Sequence, residues 1–343
     1  MKQSATTVLK RSGWANRTRV TVIRCLAVLL VAAAGLALAP GSAHATFGGK
    51  NGPIAFRRFD PATGAFPLLR ANPDGSGVTT LTELPGFFSD WSPDGRKIAF
   101  DFFDEQGGEQ IATMNADGTN LQVITAGTGM TINEVPSWSP DETRILFDAS
   151  NQSPDAPGFH TSLWTINVDG TDPRPFPMAN PGFDVEPKYS PDGQWVAFVR
   201  IRPPTGRSFQ QEAVFIVNAH GGTARQLTAW GLADEHPTWS PDSQWIAFDA
   251  DSATRNAETI EIMHPDGSGL TVLLPGSAQI GGHKPWFSPD GKKILFGCVF
   301  TSGRHVVEDI CVMNADGTHI VNLTNTPDTP ENWPSWGPAP AGP

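Results

Sequence analysis

From Asn51 onward the apolar residues fall in short runs bounded by turn-forming residues. Triplets stand at Ile54-Ala55-Phe56, Ile98-Ala99-Phe100, Ile145-Leu146-Phe147, Val196-Ala197-Phe198, Ile246-Ala247-Phe248 and Ile294-Leu295-Phe296. After a variable loop a second β-like run follows: IATMN, LWTIN, VFIVN, IEIMH and ICVMN. A short closing run such as LQVIT or TVLL comes next. No stretch sustains the 3.6-residue apolar period of an amphipathic helix, so the pattern predicts strands.

The runs belong to a repeat. Ser-Pro-Asp begins at Ser92, Ser139, Ser190, Ser240 and Ser288. An aromatic precedes each (Trp91, Trp138, Tyr189, Trp239, Phe287), and Trp336 ends the series, with spacings of 47, 51, 50, 48 and 49 residues. The residue types follow from turn chemistry. Pro presets φ for the first corner, Asp accepts a local backbone hydrogen bond, and Gly95, Gly193 and Gly291 take the left-handed position. A second turn, Asn-x-Asp-Gly or a close variant, starts at Asn115, Asn167, Asn218, His264 and Asn314. These aspartates read as structural, because the twelve-residue spacing and terminal Glu of a calcium loop are absent.

Four short strands in about 49 residues make a propeller blade. The chain enters at Ile54-Ala55-Phe56 without a preceding aromatic strand, and leaves at Trp336 without a following triplet. The two halves complete one blade, giving an all-β, six-bladed β-propeller closed by pairing the C-terminal strand into the N-terminal blade. Closure of this kind removes two free strand edges.

On the motif W-S-P-D-G-x-x-I-A-F followed by Asn-x-Asp-Gly, residues 51–338 resemble the WD40-like PD40 repeats of TolB-type six-bladed propellers. They do not resemble true WD40 repeats, whose Gly-His and Trp-Asp landmarks are out of register here. The resemblance implies a propeller with envelope partners. TolB proteins carry a small α/β domain ahead of the propeller, and none is expected here, which weakens the transfer of partners that use it. Related propellers are fused to serine peptidases. A Gly-x-Ser-x-Gly elbow is missing from this chain, so that activity is not expected.

Composition changes the picture in three ways. Residues 1–45 hold six basic residues and no acid, then an apolar run from Leu26 to Ala39, then Ala43-His44-Ala45. This reads as a secretory signal peptide, leaving residues 46–343 as a single exported domain without stable membrane insertion; an uncleaved anchor is the alternative. Removing the leader takes the net charge from −11 to −17, which excludes nucleic acid and anionic membrane as partners. Two cysteines remain, Cys298 and Cys311, flanking TSGRHV in an expected hairpin. In an oxidising compartment they form a disulfide, or else stay as buried thiols.

By the resemblance, the aromatic strand is innermost, so the residues just before it ring one channel mouth. They are Glu134, Asp184, Glu186, Asp234, Glu235, His236, His283, Lys284, Glu331 and Asn332, with Phe87, Phe88 and Trp333 beside them. Carboxylates and imidazoles converging on one place suit a divalent cation, a sugar or a basic peptide. A polar, water-filled channel with no ligand is the plain alternative. Trp91, Trp138, Trp239 and Trp336 are expected to pack between blades. The leading expectation is a monomeric, non-catalytic propeller that binds a protein or glycan in the cell envelope or outside the cell, needing no cofactor. The other is a metal-dependent lyase or hydrolase acting on a small molecule, with a divalent cation at the mouth.

Overall fold

A computed structural model describes residues 47–152, 160–202, 210–231, 234–252, 257–275, 280–302 and 305–341; the expected leader lies outside them. Six four-stranded antiparallel sheets are present. Blade 1 runs from Glu331–Pro338 through Asn51–Arg58 and Leu68–Ala71 to Thr79–Thr82. Blade 2 starts at Ser89–Trp91, blade 3 at Ile132–Trp138, blade 4 at Phe183–Tyr189, blade 5 at Asp234–Trp239 and blade 6 at Ile280–Phe287. Each of these first strands touches its counterpart in both neighbouring blades, so they line the axis. The C-terminal strand closes the ring inside blade 1, with Ile54 facing Trp336 and Ala55 facing Ser335. The indole N–H of Trp336 adds a hydrogen bond to the Gly52 carbonyl (2.9 Å).

The triplets explain how the blades stack. Side chains of a strand alternate between its two faces. Ile98 and Phe100 join Ala55 and Leu68 in the core between blades 1 and 2, while Ala99 faces Trp138, Ile145 and Phe147 of blade 3. Ile246 and Phe248 pack with Ala197 and Val214 of blade 4, and Ala247 with Phe287 and Ile294 of blade 6. The hydrophobic core is therefore six interblade layers. Trp91, Trp138, Trp239 and Trp336, all at most 2% exposed, sit in these layers.

Because strands alternate in direction, both repeated turns emerge on one face and the variable loops on the other. The turn face is uniform. In all five Ser-Pro-Asp turns the Ser hydroxyl donates to the Asp carboxylate at 2.6–2.7 Å. The same hydroxyl accepts the amide five residues on at 2.9 Å. Cys298 and Cys311 are joined in a disulfide with Cα atoms 5.6 Å apart. They are diagonal rather than directly opposed, since Cys298 faces Asp309 and Cys311 faces Phe296; strand twist shortens one diagonal enough for the bridge.

Candidate functional site

On the loop face five of the six first strands are distorted at one equivalent place. Register shifts interrupt pairing before Ser137, Lys188, Thr238, Trp286 and Ser335. Two residues earlier the chain adopts positive φ at Val135 (47°), Glu186 (56°), His236 (53°), Lys284 (52°) and Trp333 (53°). Each of the five precedes a proline. Phe88 holds the matching position in blade 2. Left-handed backbone at non-glycine residues costs about 1–3 kcal/mol each, and such strain concentrates at functional sites.

Buried carboxylates hold these bulges by accepting their amides. Asp148 accepts from Glu186 (3.1 Å), and Asp249 accepts from Lys284 (3.0 Å), each reaching into the next blade. Asp101 accepts from Phe87 (2.7 Å) and Phe88 (3.0 Å). Blade 4 has Val199 where an aspartate would stand, and there the Glu186 carboxylate accepts the His236 amide instead (2.7 Å). Asp101, Asp148 and Asp249 were absent from the sequence-derived candidates. Their signal is a charge directly after the apolar triplet, at the same repeat position in blades 2, 3 and 5.

The six side chains at this repeat position form a divided ring. Trp333, Phe88 and Val135, on blades 1 to 3, make an apolar half; Glu186, His236 and Lys284, on blades 4 to 6, make a charged half. The halves meet across and along the ring. Phe88 stacks on His236 (centroids 5.9 Å apart), and the Lys284 ammonium lies 5.2 Å from the Trp333 ring centroid. The apolar half continues outward as linked rings: Phe87 against Trp333 (4.8 Å) and Phe103 (5.2 Å), and Phe66 against Trp333 (5.5 Å). Below the ring lies a cavity of about 40 Å³, room for a few waters or one ion but not for a sugar ring. Lys188, Thr238 and Trp286 floor it, with Lys188 paired to Asp90 (3.3 Å) and 4.2 Å from the Trp286 centroid.

The charged half is densely coupled. His236 Nδ1 contacts both Asp249 oxygens (3.0 and 3.2 Å), and Nε2 lies 3.4 Å from Glu186. Burial opposes the imidazolium, but Asp249 and Glu186 outweigh it and raise His236 above its ordinary value. Burial, with repulsion from Lys284 and His236, drives His283 well below its ordinary value. Neutral His283 then accepts the Lys284 ammonium at Nδ1 (3.2 Å). A Cβ at Gly297 would fall 2.8 Å from His283 Nε2, so glycine makes the space for this ring. Burial raises Asp148 well above the carboxylate range, and Glu134 adds repulsion. Burial and the facing Glu235 do the same to Glu212. Asp234 is pushed up to about 7, chiefly by burial.

The ten residues expected at the mouth do not all come together. Glu134, Glu186, Glu235, His236, His283 and Lys284 gather around the charged half. Asn332 donates to Glu308 (3.2 Å) in the layer between blades 6 and 1. Asp184, Asp234 and Glu331 sit one step farther out. Asp184 is locked to Arg200 (2.5 Å) and Glu331 to Arg58 (2.5 Å). Glu235, His236 and Asp249 place one donor atom each within 4.8 Å of one another, a grouping that could hold a divalent cation.

Against this geometry stand the comparisons with known proteins. The PD40 family, described as the TolB beta propeller domain, matches residues 90–340. The Tol-Pal system protein TolB of Alcanivorax borkumensis is 37% identical over 87 residues, which are 25% of this chain and 20% of that protein. The match thus spans about a fifth of the length of that relative. The crystal structure of TolB from Acinetobacter baumannii superposes with a TM-score of 0.68 at 24% identity, covering 85% of this chain and 68% of that one. A putative TolB from Agrobacterium tumefaciens gives 0.58 at 18% identity, covering 87% and 100%. These two likenesses speak for the fold.

Proposed function

The chain belongs to the PD40 family of TolB β-propeller domains, and on that footing we propose that it is an exported, non-catalytic propeller that binds a protein partner at the loop-face mouth. The divided bulge ring carries this reading. The amides of Glu186, His236 and Lys284 are held by carboxylates and that of Trp333 by the Asn332 side-chain carbonyl, and with Phe88 and Val135 these residues set an apolar half, of the kind that anchors protein interfaces, beside a charged half that gives orientation. The small cavity beneath favours a partner lying across the mouth over a glycan entering it. Membership of the Alcanivorax relative in the Tol-Pal system supports a place in the cell envelope.

The test is capture of envelope proteins by the full exported chain, compared with Phe88→Ser and Trp333→Ser variants. A partner retained by the parent chain and lost tenfold or more by both variants is expected, about 1.4 kcal/mol or more. Equal capture by all three would exclude the mouth.

A second reading is favoured by the Glu235–His236–Asp249 grouping: a metal-dependent enzyme for a small molecule. It requires a stoichiometric divalent ion in the purified protein, or a thermal shift with calcium, manganese or zinc that Asp249→Asn abolishes. Absence of both would remove it.

A further inference from the structure

The opposite end of the channel is built differently from the mouth. Below the Lys188–Asp90 pair, a second cavity of about 20 Å³ is lined by Trp91, Trp138, Trp239, Trp286 and Trp336. Phe47 also lines it and is only 5% exposed. The next residues, Gly48, Gly49 and Lys50, are exposed, and Gly48 touches nothing that a Cβ would meet. Gly49 N–H donates to the Pro289 carbonyl of the blade 6 turn (3.0 Å). From there the chain enters blade 1, whereas Phe47 belongs to the apolar cluster between blades 2 and 3. A buried ring thus sits at the end of an exposed Gly-Gly tether that crosses the turn-face end of the channel.

We propose that this end of the channel is a socket for an aromatic side chain, filled by Phe47, and that residues 47–50 form a detachable strap. Four of the five indoles come from different first strands at the same repeat level, so their convergence on the axis follows from the fold and does not depend on the strap. Trp91 is 1% exposed, and its indole N–H has no acceptor among the described residues. Burial of one phenyl ring is set against ordering of the tether backbone, two opposing terms of similar size. Docking is thus close to balance, unlike the pairing of the strands. The ligand class is a phenyl or indole ring.

The test uses the full exported chain with Phe47→Ala. Acrylamide quenching of tryptophan fluorescence is expected to rise about twofold, because the indoles lose their cover. The melting temperature is expected to fall by no more than about 2 °C, because a strap near balance adds little to global stability. N-acetyl-phenylalaninamide is the probe. It should raise the melting temperature of the variant and leave the parent chain unchanged, since emptied apolar sockets take small aromatics. Unchanged quenching, or an equal probe effect on both proteins, overturns the socket. If Phe47→Ala does not fold, Phe47→Leu is measured in the same way. Detachment is read in the parent chain by hydrogen exchange: the Gly49 amide should exchange at least about 100-fold faster than the Ala55 amide of the first strand. Equal protection overturns the strap. Capture of a partner at the mouth, on the far side of the Lys188 layer, should be unaffected by either variant, so failure here is separable from failure there.

Discussion

The two faces of this propeller are made from the same strands yet obey different rules. On the turn face, five copies of one local pattern repeat with hydrogen bonds that agree to within 0.1 Å. Each pattern is complete within six residues. On the loop face, one repeat position holds Trp333, Phe88, Val135, Glu186, His236 and Lys284, and its amide hydrogen bonds from blade to blade join residues 35 to 50 positions apart. Local chemistry that the whole ring requires becomes uniform. Chemistry made between blades is free to differ from blade to blade, and there the structure concentrates its strain and its buried charge.

The sharpest way to break this contrast is to remove equivalent side chains from each end. Asp249 is 3% exposed and serves the Lys284 amide and the His236 ring. Asp249→Ala removes a largely buried acceptor from both at once, and should cost about 3–5 kcal/mol. Asp192, exposed on the turn face, accepts only from Ser190 and the Gln194 amide. Asp192→Ala should cost about 1 kcal/mol, because water replaces the lost acceptor. Urea midpoints of the two variants measure the difference. Similar losses would mean that the loop-face carboxylates are not the framework of the mouth.

The same division separates what the sequence disclosed from what it hid. The Ser-Pro-Asp and Asn-x-Asp-Gly turns, blade count and ring closure were legible because their causes lie in adjacent residues. The mouth was legible by position: counting back from Trp138 or Trp239 reaches Glu134 and His236. Which residues support them was not. Asp148 acts on Glu186, 38 positions away, and Val199 in blade 4 breaks the pattern that Asp101, Asp148 and Asp249 set. Glu109, Glu212, Glu258 and Glu308 lie in the third strands of four blades and are buried; their equivalence appears only when the repeats are stacked on the Asn-x-Asp-Gly turn. The positive φ values had a sequence mark in the proline after each bulge, at Pro136, Pro187, Pro237, Pro285 and Pro334.

Acidity offers a second test, with opposite signs at the two ends. Burial pushes Asp101 up to about 6, against the pull of Arg57, and Asp234 up to about 7. Both bind a proton more tightly in the fold than in the unfolded chain. Their contribution is complete below pH about 4 and is lost as pH rises through 6 and 7. His236, also raised, loses its contribution in the same direction; His283, lowered, works against folding only as pH falls below its usual range. On the turn face, Asp141 and Asp290 are lowered: burial opposes the shift, but the serine hydroxyls and turn amides outweigh it. Their contribution is lost as pH falls below about 4. Stability should therefore decline by a few kcal/mol between pH 5 and 8, and Asp234→Asn should flatten that limb. An alkaline limb unchanged in the variant would assign the decline to other groups.

The smallest test concerns strain alone. Blades 2, 4 and 6 place Gly95, Gly193 and Gly291 at φ near 70° to close the Ser-Pro-Asp turn, while blades 3 and 5 use Glu142 (59°) and Ser243 (58°). Glu142→Gly removes a left-handed side chain from a turn whose hydrogen bond, Glu142 amide to Ser139 carbonyl (2.9 Å), needs only backbone. It should be close to neutral, because relief of the turn is offset by losing the hydrogen bond that the Glu142 carboxylate accepts from the Asp94 amide of blade 2. Ser243→Gly should be nearly neutral, since the Ser243 hydroxyl also accepts the Asp192 amide (3.0 Å). His236→Gly relieves a similar angle on the loop face, yet it also deletes the contacts to Asp249, Glu186 and Phe88, so it should destabilise. Thermal melts of the three variants decide the point. If Glu142→Gly and His236→Gly shifted stability by the same amount, strain at the mouth would be as incidental as strain in the turns, and the bulge ring would lose its claim to be a built surface.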